Sequence, residues 1–124
     1  MRIKTNCTGS MSRELDNFLI DEEGILQSKT VEIYYSYQTV VGYRLAGQKP
    51  VFCENAWTQT TAQHLSKYRD EFGLEKGDQY EIKAFITRAF TDLGEKYAAY
   101  ILDKGYGVLK YFRANAYNNP IALN

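Results

Sequence analysis

The residues able to do covalent or acid–base chemistry are few. The 124-residue chain holds one histidine, His64, and two cysteines, Cys7 and Cys53. Nucleophilic hydrolysis needs a thiol or hydroxyl beside a base. Cys53 and His64 fall on neighbouring elements, so a Cys53–His64 pair is the one arrangement of that kind to look for. The plainer reading of His64 is a boundary residue bonded to a tyrosine or a carbonyl. One histidine and two scattered cysteines make neither a zinc site nor a disulfide framework. Gly105-Tyr106-Gly107 is an isolated G-x-G without the rest of a phosphate-cradling loop. Asp70 and Glu71 are adjacent helical residues, which point apart and read as a solvated face. These residues describe a binder, not an enzyme, with no metal and no cofactor.

The candidate ligand-binding surface is the basic, aromatic run from Lys104 to Tyr117. Within it Tyr106, Tyr111 and Tyr117 offer ring faces, and Lys110 and Arg113 offer cations. Aromatic faces stack on bases, and cations hold phosphates. The competing plain reading is a closing strand with a solvated edge. Fifteen Lys+Arg balance fifteen Asp+Glu. Affinity for a polynucleotide grows with each phosphate neutralised, so zero net charge argues against long nucleic acid. A small nucleotide needs only one or two cations and an aromatic slot.

The elements that must position these groups follow from periodicity. Ser12 to Ile20 reads as a short helix: Ser12 caps it, Glu14 lies in its first turn, and Leu15, Phe18 and Leu19 share a face. Asp21-Glu22-Glu23-Gly24 ends it. From Val31 to Leu45 apolar residues fall on odd positions, which is β alternation. The parity survives the whole stretch, which favours an odd-length loop near residues 37–39 or one long bent strand, with Gly42 allowing a bulge. A turn at Ala46–Pro50 returns the chain as a strand from Val51 to Glu54. Thr60 and Gln63 form a capping box opening a helix whose inner stripe is Leu65, Tyr68 and Phe72, stopped by Gly73. From Asp78 to Lys104 two patterns compete: a helical stripe opened by a second capping box, Asp78 and Glu81, with Gly94 as a breaking point, and a strand alternation of Tyr80, Ile82, Ala84 and Ile86; the helical pattern runs longer and is favoured. Val108 to Arg113 reads as a final strand.

Together these give an α+β fold: a small antiparallel sheet packed against a capped helix, with a mostly helical C-terminal half. The length suits one domain spanning residues 1–124, with a hairpin-plus-helix core at 30–74 and an extension at 75–124. Apolar residues make up 44% and charged residues 24%, ordinary globular proportions that exclude disorder and coiled-coil rods. Eleven tyrosines are the compositional anomaly. No apolar run approaches the roughly 18 residues of a membrane helix, and no leader-like segment opens the chain. The expected compartment is a reducing cytoplasm. An exposed strand edge and surplus tyrosine favour a homo-oligomer.

Ser36-Tyr37-Gln38-Thr39 and Trp57-Thr58-Gln59-Thr60-Thr61-Ala62-Gln63-His64 carry a resemblance. Residues 30–72 resemble a short uncharacterised bacteriophage domain with an S-Y-x-T strand followed by a W-S-x-T-T-x-x-H helix start; Thr58 replaces the usual Ser. Tyr37, Thr60, Thr61 and His64 are its motif residues, with structural roles in capping and in bridging from helix to hairpin. The resemblance implies phage or prophage origin and no particular reaction. The expected role is antagonism of host antiviral defence in an infected bacterial cell, most specifically by sequestering a small nucleotide-derived immune signal. The alternatives are an inhibitor that covers a host defence protein, such as a CRISPR complex, and a phage housekeeping factor.

Overall fold

Why residues 11–22 form a strand is visible in which side chains they bury. In the computed structural model, which describes residues 3–8, 11–105 and 107–110, Glu14, Asp16 and Phe18 are buried while Leu15, Asn17 and Leu19 are not. That is period two, and the segment expected to be a helix is the strand β2 (Met11–Glu22). The helical reading failed because two of its three buried positions are carboxylates, so the apolar letters alone traced the wrong period. β2 lies between β1 (Ile3–Thr8) and β3 (Ile25–Ser36). Glu23 and Gly24 join β2 to β3, both with positive φ (55° and 83°), the mark of a type I′ hairpin turn. Gly24 N donates to Asp21 Oδ1 at 2.9 Å, which fixes that turn.

β4 (Thr39–Leu45) and β5 (Val51–Phe52) complete a five-stranded antiparallel meander in the order β1-β2-β3-β4-β5. The β3–β4 loop is two residues, Tyr37 and Gln38, with Ser36 opposite Thr39. Neither an odd-length loop nor one continuous strand is present. Parity is restored by a bulge: Tyr35 pairs with Val40 but Tyr34 with Gly42, leaving Val41 as the extra residue. Gly42 is required by packing, since a Cβ there would collide with the Phe52 ring and lie 2.8 Å from the Val51 carbonyl oxygen.

Helices cover both faces of the sheet, giving an α+β fold in three layers. α1 (Gln59–Phe72) packs Leu65 and Tyr68 on Tyr34, Val41 and Phe52. Its N-cap is Thr58, two residues before the expected Thr60, and Thr58 Oγ1 accepts from Thr61 N at 3.3 Å. Gly73 ends the helix in the left-handed region (φ 67°). The second capping box also lies earlier than expected, pairing Glu75 with Asp78 around a single 3-10 turn, Lys76–Asp78. α2 (Ile82–Leu93) and α3 (Glu95–Leu102) cover the opposite face, divided at Gly94 as its position in the stripe suggests. Phe85, Ala89, Leu93, Ala98 and Ile101 there meet Phe18, Ile33, Tyr35, Tyr43 and Val51. Residues 108–110 are helical rather than extended, and the remainder of the expected strand, 111–113, lies outside the described residues.

Much of the tyrosine excess serves buried and half-buried acids. Tyr35 Oη donates to Glu14 at 2.7 Å, Tyr97 Oη to Asp16 at 2.7 Å, Tyr43 Oη to Asp92 at 2.8 Å, and Tyr34 Oη to Glu32. A buried carboxylate without donors would cost several kcal/mol, on the order of the penalty for an unpaired charge. Burial, reinforced by the neighbouring carboxylate, holds the Tyr34 and Tyr43 phenols well above the ordinary tyrosine range. They remain neutral donors.

Candidate functional site

The hairpin turn and the start of α1 meet at one end of the sheet. Tyr37 stands at the turn with φ 57°, a left-handed conformation that costs a non-glycine residue about 1–2 kcal/mol. Its ring nevertheless remains 54% exposed. Facing it, the loop before α1 is held by Asn55, whose Oδ1 accepts from Trp57 N at 3.0 Å and whose Nδ2 donates to the Thr58 carbonyl at 3.1 Å. That brings Trp57 and the hydroxyls of the first helical turn against the hairpin. Between them is a cavity of about 430 Å³ lined by Ser36, Tyr37, Thr39, Trp57, Thr58, Thr60 and Thr61.

The wall behind this cavity is a chain of hydroxyls ending on the histidine. Thr61 Oγ1 lies 3.0 Å from Ser36 Oγ and 3.4 Å from Thr58 Oγ1. Ser36 Oγ lies 2.7 Å from His64 Nδ1, and the Tyr37 and His64 ring centroids are 5.6 Å apart. Desolvation, with Lys67 as a secondary cause, lowers the His64 pKa below the usual imidazole value, favouring the neutral ring. The cavity therefore has two aromatic residues, five serine or threonine residues and no charged lining residue. It suits a flat, neutral ring with hydrogen-bonding edges.

Ser36 and His64 are a hydroxyl–imidazole pair of the kind nucleophilic catalysis uses. Ser36, however, is 2% exposed and its oxygen already meets Thr61 as well as His64. Such a hydroxyl ties α1 to β3 better than it meets an incoming carbonyl. Cys53 belongs to the core on the α2–α3 side of the sheet, whereas His64 is on α1, so the two are not brought together. Burial and Glu54 raise the Cys53 pKa far above the ordinary thiol range, keeping it protonated.

On the other side of the same turn is a second cavity of about 430 Å³, lined by Glu14, Tyr35, Tyr37, Gln38, Lys104 and Gly105. Lys104 Nζ lies 3.3 Å from Tyr35 Oη and 4.0 Å from Glu14 Oε1. Of the candidate ligand residues, Lys110 is at its margin, donating from Nζ to the Gly105 carbonyl at 2.9 Å. Tyr106, Tyr111, Arg113 and Tyr117 lie outside the described residues. The motif residues Tyr37, Thr60, Thr61 and His64 converge on the neutral cavity or its wall. Ser36, Thr39, Trp57 and Thr58 belong to the motif strings, Lys104 opens the basic run, and Glu14 and Tyr35 carry no local signal of a site. Among the described residues no group of His, Cys, Asp and Glu is placed to hold a metal ion, and no helix is long and apolar enough to cross a membrane.

Residues 4–84 match the model of a family of unknown function, DUF8033. No curated protein and no solved structure matches the chain.

Proposed function

The chain belongs to the family of unknown function DUF8033, and from the cavity between its hairpin turn and α1 we propose that it is a non-catalytic binding protein for a small nucleotide-derived ligand. The observation that carries this reading is the convergence of two separate sequence strings, Ser36–Thr39 and Trp57–His64, on one neutral aromatic cavity. A nucleobase offers a ring face to Trp57 and Tyr37 and polar edges to the threonine hydroxyls. Those two strings are also the ones resembling a bacteriophage domain. The role that fits is a phage or prophage protein that withdraws a nucleotide immune signal from its host by holding it.

Ligand that binds only the folded chain stabilises it by mass action, about 2.7 kcal/mol at one hundred times Kd. A thermal-unfolding panel of cyclic, linear and ADP-ribose-type nucleotides should therefore show a rise of roughly 8–15 °C for the cognate class. Trp57→Ala should remove the shift. A panel with no shift rejects the ligand reading. Covalent labelling of Ser36 by a phosphonyl fluoride, lost in Ser36→Ala, would reject the non-catalytic part and favour acyl transfer.

A second reading draws on a different surface. Leu19 and Leu26 lie 64% and 67% exposed on one face of the β2–β3 hairpin toward its end. Clustered exposed apolar residues mark protein contacts. A protein that covers a host defence effector would use this end, and Leu19→Glu together with Leu26→Glu should then abolish co-purification of that effector.

A further inference from the structure

The charged cavity has partners left over. Glu14 is 9% exposed, and among the described residues its carboxylate takes one side-chain hydrogen bond, from Tyr35 Oη, with Lys104 approaching the same oxygen. A carboxylate has about four acceptor sites and an ammonium three donors. Lys104 gives one hydrogen bond to Tyr35 Oη and stands 4.8 Å from the centroid of the Tyr100 ring. Acceptor capacity on Glu14, donor capacity on Lys104 and the Gln38 carboxamide therefore face the same space.

Simple ligands do not match this set. An apolar group would bury a charged pair against nothing polar. A bare anion meets Glu14, and a bare cation meets Lys104. A sugar phosphate supplies both halves: vicinal hydroxyls donate to the carboxylate, and phosphate oxygens accept from the ammonium. We infer that this cavity binds a phosphorylated ribose, the far end of the ligand whose base occupies the neutral cavity. The inference rests on the nucleotide reading above and adds the class: a nucleoside diphosphate joined to a second sugar.

The turn between the cavities makes one ligand reaching both sites reasonable. Tyr37 contributes to both linings. The two cavities open on opposite faces of the hairpin, so such a ligand passes around the turn at Tyr37.

The test uses the full chain with three probes: adenosine, ADP-ribose and ribose 5-phosphate. Glu14→Gln and Lys104→Gln should each weaken ADP-ribose by tenfold or more while leaving adenosine within twofold. If Glu14→Gln does not fold, Lys104→Gln, at the rim, carries the comparison alone. Equal losses for both ligands, or no loss for either, overturn the two-cavity assignment while leaving the base site standing. If neither adenosine nor ADP-ribose binds, the reading of the neutral cavity fails separately. Ribose 5-phosphate then decides the charged cavity: amide shifts at Gln38 and Gly105, lost in Lys104→Gln, support the site, and no shifts overturn it.

Discussion

His64 shows how one residue ties cohesion to pH. Its imidazole is buried, bonded to Ser36 at 2.7 Å, and held below its ordinary pKa by desolvation and Lys67. In the unfolded chain the ring titrates near 6.5. The folded state therefore binds protons less readily, so His64's contribution is complete above about pH 6.5. It is lost as the pH falls through the depressed folded value. His64→Gln retains a side chain able to bond Ser36 but does not titrate. Urea unfolding at pH 8 and pH 5 should show wild type losing more stability than His64→Gln over that interval. A stability gap that stays constant would contradict the burial of a neutral ring. The participation of His64 in an α1–β3 bridge was readable from the motif, because a capped helix start places it facing the hairpin. Its partner was not, since nothing local marks Ser36 as the receiving hydroxyl.

At the scale of elements, two hairpin turns carry non-glycine residues at positive φ, Glu23 and Tyr37. The first lies far from either cavity and offers a stabilising change. Glu23-Gly24 occupies a type I′ turn, where Asn-Gly is preferred. Glu23→Asn should raise the free energy of unfolding by about 0.5–1 kcal/mol, read from the urea midpoint at unchanged slope. A fall in the midpoint would refute the turn assignment. Elements whose buried faces are apolar were legible: α1 from its stripe and Gly73 stop, and α2 and α3 from a stripe broken at Gly94. β2 was not, because the buried Glu14 and Asp16 take hydrogen bonds from Tyr35 and Tyr97, residues distant in sequence. The Val41 bulge was likewise hidden, because register belongs to a pair of strands rather than to either one.

In the whole molecule, the sheet separates two unlike environments at one end. The neutral cavity is built wholly from residues within the family match, 4–84, whereas the charged one takes Lys104 and Gly105 from beyond it. The two strings lining the neutral cavity were visible in sequence, but their meeting depends on Asn55 and on α1 crossing back to the hairpin. The pairing of Glu14 with Lys104 depends on the full path through β2 and α3.

In the proposed function, a nucleobase fills the cavity beside Trp57. Trp57 is the chain's single tryptophan, so its emission reports that cavity without a label. Titration with the nucleotide that most raises the melting temperature should change tryptophan fluorescence saturably, at the same midpoint as binding by calorimetry, with Tyr37→Ala shifting both midpoints together. Calorimetric binding that leaves the emission unchanged would place the ligand elsewhere and contradict the account.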